Sequence, residues 1–206
     1  SGFEEALKAQ RTRSRAGISD EIGTGAKSLD YPPADIWVGD RGATQEFVGY
    51  ENLKVETDVL RWGQFEDNIS LVLSQNPFYA ESGGQVSDHG WVHGDDWVIE
   101  VHAVGQLDPG YTAVMGAVVE GVFPEAANTV VAEVDRSLRA ETERNHTATH
   151  LLHVALRECL GEHVQQAGSL VGPDRFRFDF SHRGPVSEAE RSEIELRVNE
   201  RILANA

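Results

Sequence analysis

The sequence predicts an α+β protein, with a small β-barrel module followed by a module of helix packed on antiparallel sheet. Three observations predict it. From Phe47 to about Val134 the chain breaks into short β-branched segments separated by Gly, Asn, Asp or Pro. At Asp135 that texture switches to a long run of helix-forming residues ending near Gly161. Two further strand-like segments and a last helix then follow.

Each element has a local cause. Residues 3–16 are rich in Ala, Glu, Gln and Arg and read as a helix ending near Gly17. The stretch GISDEIGTGAKSLDYPPAD, full of Gly, Pro, Ser and Asp, reads as a linker or irregular crossing. LKVETDVL, NISLVLS, GWVHG, DWVIEVHAV, YTAVMGAVV and NTVVAEV read as closely spaced short strands, which a barrel accommodates because closure removes exposed edges. Asp135 can cap the long helix and Gly161 can end it. HVQQAGSLV and RFRFDFS read as strands, the second alternating Phe176, Phe178 and Phe180 against Arg175, Arg177 and Asp179. Ser187 and Glu190 form a capping box for a final helix carrying Ile194, Leu196, Val198 and Ile202. The expected units are residues 1–40 (helix and linker), 41–134 (barrel) and 135–206 (helix and sheet).

Composition narrows the function classes. Hydrophobic residues make up 40% of the 206 and charged residues 25%, an ordinary soluble balance. No run approaches the roughly 18 apolar residues that span a bilayer, and the first residues lack the apolar centre of a secretion signal. A single cysteine, Cys159, rules out an internal disulfide and fits a reducing, cytoplasmic location. The formal charge of -16 opposes a strong independent grip on phosphate backbones. It is compatible with a pocket that receives one nucleotide end delivered by another domain. The one dense basic stretch, Arg11, Arg13 and Arg15 with Lys8, reads as a solvated helix face ahead of an RNA contact.

Three groups of residues could carry chemistry. His146 and His150, four apart on the long helix, share one face one turn apart, the spacing of a two-imidazole metal grip. Thr147 follows His146, so the glutamate base of the zinc-protease motif is missing. His153 falls near the same face, whereas Cys159 projects elsewhere and reads as packing. On spacing alone the pair reads first as ordinary surface or structural histidines, since no CxxC or CxxxH completes a set and His163 and His182 lie on separate segments. In NPFYAESGGQVSDHG, Gly83 and Gly84 let backbone approach a ligand, or simply turn the chain between strands. Gln165 and Gln166 alternate on a strand, so one faces each side, and an inward glutamine could hold an ester carbonyl or a water.

Taken in order, FYAESGGQVSDHG, NHTATHLLHVALRECLGEHVQQAGSLV and RFRFDFSH closely resemble the editing region of the bacterial-type alanyl-tRNA synthetase family, which free-standing alanyl-tRNA editing proteins share. The opening GFEEALKAQRTRSR resembles the helix ending that family's tRNA-recognition domain. The resemblance covers nearly the whole chain. It implies hydrolysis of serine or glycine wrongly esterified to tRNA(Ala), a second sieve needed because a site sized for alanine rejects neither well. It implies zinc held by His146 and His150 together with a later CxxxH, absent before Ala206; activity and zinc binding of these residues alone are therefore expected to be weak. The family's active-site glutamine corresponds to Gln166 and its glycine motif to Gly83 and Gly84. His89, within SDHG, departs from the family's usual GD-Thr-Gly. ATP-dependent aminoacylation would belong to a catalytic domain outside this sequence. A non-catalytic tRNA-docking module and a peptidyl-tRNA hydrolase using Gly83-Gly84-Gln85 are the competing readings.

Overall fold

The computed structural model describes residues 32–33, 36–40, 42–124 and 129–205. The helix expected over residues 3–16, the basic stretch from Lys8 to Arg15 and most of the linker lie outside them. Nine strands come first: β1 (Val38–Gly39), β2 (Glu46–Phe47), β3 (Lys54–Phe65), β4 (Asn68–Leu73), β5 (Gln75–Asn76), β6 (Gly90–His93), β7 (Val98–Asp108), β8 (Tyr111–Glu120) and β9 (Thr129–Val134). Helix α1 (Arg136–Leu160), strands β10 (Gln166–Val171) and β11 (Phe176–Phe180) and helix α2 (Glu188–Ala204) complete the described chain. None of its helices is long and apolar enough to cross a membrane.

Six antiparallel strands close into a barrel in the order β3-β4-β8-β7-β6-β9, with β9 returning to β3. The long β3 makes closure possible because it serves two neighbours. Lys54 to Asp58 pair with β9, and Val59 to Phe65 pair with β4 across a register shift between Val59 and Arg61. Alternation along the strands sends Ile69, Leu71 and Leu73 inward, against Val92, Ile99, Val101, Val114 and Ala132. The opposite face of β4 is buried too, since Val72 packs beneath Trp37 and Ala113. Val38 and Gly39, on the linker side of the expected boundary after residue 40, pair with Trp62 and Arg61 and lay Trp37 across that face. The Arg61 guanidinium sits 5.1 Å from the Trp37 ring centroid, a cation–π contact that ties the added strand to the barrel wall.

Beyond the barrel the elements form for the local reasons the sequence offers. The Asp135 Oδ1 accepts from the Ser137 and Leu138 amides at 2.9 and 3.1 Å, and the Gly161 amide closes α1 on the Arg157 carbonyl. The Ser187–Glu190 capping box starts α2, with both reciprocal bonds present. Strands β10 and β11 form a two-stranded antiparallel hairpin. Ala155 and Leu156 of α1, Val164, and Ile194 of α2 make its core, joined by Phe178, Phe180, Val198 and the free Cys159. Of the apolar residues read on the final helix, Leu196 and Ile202 are half exposed at 53% and 54%. Ile194 and Val198 pack with α1 and the hairpin, and Arg197 and Arg201 pair with Glu158 of α1.

Candidate functional site

The N-terminal half of α1 meets the barrel through polar groups rather than apolar ones. Arg139, 7% exposed, donates from Nε to Asp88 Oδ1 at 2.8 Å and from Nη2 to Asp88 Oδ2. Its Nη1 reaches the Gly49 carbonyl at 2.9 Å and its Nη2 the Pro77 carbonyl at 3.3 Å. The fork matches the carboxylate bidentately, and the Asp88 bond raises the Arg139 pKa above the usual arginine value against the opposing effect of burial. Asp88 Oδ2 also accepts the Tyr79 amide at 2.7 Å. One buried ion pair therefore pins both ends of the loop that carries the two glycines.

At the tip of that loop Ser82 and Gln85 exchange backbone hydrogen bonds of 3.2 and 3.0 Å around Gly83 and Gly84. Both glycines have positive φ, 62° and 87°, as a tight turn with two left-handed central residues requires. They then part company. A Cβ on Gly84 would stand 2.5 Å from the Ser169 carbonyl oxygen, so Gly84 lets the turn press onto β10. A Cβ on Gly83 would meet nothing within 4 Å. Gly83 faces open space. The turn is stitched to the hairpin by Val171 N to Gly84 O at 2.7 Å and Val86 N to Val171 O at 2.9 Å.

Where α1, the turn and β10 meet, they enclose a cavity of about 80 Å³. Its wall includes Gly83, His146, Thr149, His150, His153, Gln166 and Ser169. Of the residues singled out in the sequence, Gly83, His146, His150 and Gln166 thus come together, while Gly84 supports the wall from behind. His89 is exposed and only its carbonyl is engaged, by the Asp135 amide at 2.8 Å. His163 and His182, apparently unrelated in sequence, come together away from the cavity with Nε2 to Nδ1 at 3.0 Å.

Gln166 reaches the cavity through an irregularity. Gln166 pairs with Phe180 and Ser169 with Phe178, with a register shift between Gln166 and Gly168. An odd separation along a regular strand would turn these two side chains to opposite faces. The extra residue of the bulge brings both onto the helix side, the re-aiming that bulges provide.

The paired histidines lie side by side. The His146 and His150 rings stack with centroids 5.2 Å apart and an interplanar angle of 15°. His146 Nδ1 is 2.6 Å from Gln85 Oε1, and an amide oxygen can only accept, so Nδ1 carries the proton and the Nε2 lone pair is left for a ligand. A second hydrogen bond fixing the free ring nitrogen is what metal-bound histidines have. The two imidazoles fit half of a tetrahedral zinc set. Among the described residues no group of three His, Cys, Asp or Glu side chains could hold the ion by itself.

Gln85, Thr149, Ser169, Asp88 and Arg139 are the site residues that sequence reasoning misses as partners. Gln85 and His146 are 61 positions apart, and Asp88 and Arg139 are 51 apart. The sequence holds no local signal for either pairing. An arginine on the helix face shared with the histidines was the one available hint.

Comparison with known proteins identifies the family. A family model described as tRNA synthetases class II (A) matches residues 1–138, and the chain belongs to that family. It is similar to the alanine–tRNA ligase of Methylococcus capsulatus, 44% identical over the whole chain, and to that of Leptothrix cholodnii, 40% identical over the whole chain. The alanine–tRNA ligase of Chlorobium phaeovibrioides is 40% identical over 97% of the chain. The chain spans 23% of the length of each of these relatives. The family model stops three residues into α1, whereas the similarity to the ligases runs on through the cavity residues.

Proposed function

We propose that this chain is the proofreading module of an alanine–tRNA ligase, hydrolysing the ester that joins serine or glycine to the 3′-terminal adenosine of tRNA(Ala). The observation that carries the reading is the cavity of about 80 Å³ with Gly83, His146, His150 and Gln166 on one wall. It has room for an amino acid of a few heavy atoms and little else. Residues 41–134 act as the scaffold and residues 135–206 as the module bearing the reactive face, with 1–40 as the approach from the tRNA-recognition region.

The reaction is attack of water on the ester carbonyl carbon, with release of the adenosine hydroxyl. Gln166 offers an amide that can donate to the carbonyl oxygen or accept from the attacking water. Open space over Gly83 admits the ester without a side chain in its path. His146 and His150 would hold zinc together with ligands from outside the described residues. When bound, the ion supplies a fixed positive charge that organises the pocket or, with three protein ligands, an open position for water. Gln85 keeps the His146 proton on Nδ1 throughout. The net charge of -16 implies that the tRNA body is held elsewhere and only its end is received here. ATP-dependent charging falls to sequence outside residues 1–206.

The peptidyl-tRNA hydrolase reading has little support, because Gln85 is 8% exposed and engaged with His146. Its amide does not project from the turn to meet an ester. The deciding assay is deacylation of Ser-tRNA(Ala) by the longest natural chain containing this sequence. Gln166→Ala should lower kcat by about a hundredfold. His146→Ala should abolish zinc retention together with activity. Tight tRNA binding with no deacylation would leave only a docking module. The 206-residue chain alone should bind zinc weakly and deacylate poorly, and stoichiometric tight zinc with full activity would overturn that expectation.

A further inference from the structure

Three aromatic rings near the glycine turn belong to none of the hydrophobic clusters among the described residues, and they stand in a row. Phe47 and Tyr50 meet edge to face at 5.0 Å and 88°, and Phe47 meets Tyr79 at 6.4 Å and 69°. Tyr50 is 85% exposed and Phe47 37%, so water covers much of both rings. The row is nevertheless held in place. Strands β2 and β5 pair in parallel and set Phe47 opposite Asn76. The Val48 amide donates to the Asn76 carbonyl at 3.0 Å, and the Glu51 and Asn52 amides return to the Val48 carbonyl at 3.1 and 3.0 Å. A Cβ on Gly49 would stand 2.2 Å from the Pro77 carbonyl oxygen and 2.7 Å from the Phe47 ring, so glycine is what lets this turn fold so closely. With the Gly49 carbonyl taken by Arg139, Tyr50 stands on a turn tied to the buried ion pair. A ring presented this way loses little further freedom when something stacks on it.

The row ends beside the cavity. The Tyr79 hydroxyl donates to the Ser82 carbonyl at 3.4 Å, and Ser82 precedes Gly83 on the cavity wall. A cavity of about 80 Å³ takes an aminoacyl group and excludes the nucleoside, so the nucleotides leading to the ester lie on the surface around it. Exposed aromatic rings suit unpaired bases, because every base has a π-face to stack. Charge points the same way. Glu46 and Glu51 flank the rings in the chain and are exposed, and the whole chain carries -16. Such a face repels phosphate and accepts a neutral base.

We infer that Phe47, Tyr50 and Tyr79 form a stacking platform for the unpaired 3′ strand, with Tyr50 taking a base just upstream of the ester-bearing adenosine. This rests on the deacylase reading above and deepens it: the cavity receives the amino acid, and the aromatic row holds the strand that carries it. Phe47 and Tyr79 brace the platform edge-on, and the exposed Tyr50 ring makes the contact.

The test uses the longest natural chain containing this sequence and two non-hydrolysable analogues. One is 3′-serylamino-adenosine, and the other is the trinucleotide cytidylyl-cytidylyl-adenosine carrying the same serylamino group. The trinucleotide should bind about tenfold tighter, the worth of one base stacked on an aromatic ring. Tyr50→Ala should erase that gain, and Tyr50→Phe, which keeps the ring, should restore most of it. With Ser-tRNA(Ala), Tyr50→Ala should raise KM about tenfold and spare kcat, a split that a merely structural role would not give. Equal affinity of the wild type for the two analogues overturns the inference, as does a gain that persists in Tyr50→Ala. Either result leaves the deacylase reading standing where the wild type hydrolyses Ser-tRNA(Ala). A wild type that hydrolyses no seryl ester removes that reading and the platform with it.

Discussion

The barrel and the helix–hairpin module are built to different standards of closure. The barrel buries thirteen hydrophobic residues in one cluster and returns β9 to β3, so no long edge remains. The module buries four, and its two-stranded sheet depends on α1 and α2 for cover. Between the helices and β11 an apolar hollow of about 510 Å³ stays open, lined by Leu152, Leu156, Phe176 and Ile194 among others. The cavity lies where the two regions meet, and each contributes to it: the barrel sends the glycine turn, the module its histidines and Gln166. The difference teaches that the self-contained part bears none of the cavity's imidazoles. The groups expected to act sit on the less secured part, fixed to the barrel at a few polar points.

The largest effect should come from breaking the main attachment. Arg139→Met leaves Asp88 buried without its partner and should cost about 3–5 kcal/mol in urea unfolding. The curve should split, helical circular dichroism leaving before the barrel's tryptophan fluorescence. A single coincident transition of unchanged midpoint would show that the two regions do not differ as described. Next come the two cores. Leu71→Ala, fully buried in the barrel, should cost about 3 kcal/mol, and Ile194→Ala, beside the open hollow, about 2 kcal/mol. Equal losses would remove the contrast in packing.

The glycine turn gives a finer comparison. Gly84→Ala combines positive φ with a clash against the Ser169 carbonyl and should cost about 2 kcal/mol, read as a lowered Tm. Gly83→Ala faces only the φ penalty, about 1 kcal/mol, and should impair deacylation more than stability. The smallest effect is at the start of α2. Ser187→Ala removes the cap and should cost about 1 kcal/mol. Hydrogen bonds from the Ser187 hydroxyl and amide lower the Glu190 pKa. That contribution is complete above the ordinary glutamate pKa and is lost as pH falls through the lower value of the folded state. The N-terminus of α2 should fray in acid before the barrel changes, as hydrogen exchange at low pH would register.

How much of this was legible in the sequence depends on range. The six barrel strands, both caps of α1, the Ser187–Glu190 box and the alternation of Phe176, Phe178 and Phe180 are set by neighbours a few residues apart, and all could be read. Strands β1, β2 and β5 have two residues each, too short for any periodicity to appear. The histidine pair and the glycines were readable as residues, but their meeting was not, because it depends on Arg139 finding Asp88 and on Gln85 finding His146. Alternation alone also left open which of Gln165 and Gln166 turns inward. A single extra residue in one strand settles it, and nothing in the local composition announces that residue.

That bulge has a consequence of its own. Sliding the end of β10 by one position to iron it out would set Ala167 opposite Phe180 and turn the Gln166 side chain to the other face of the hairpin. No side chain would change and little buried surface would be lost. The pocket would simply fall silent, so its competence is a matter of counting along a strand as much as of which residues the strand contains.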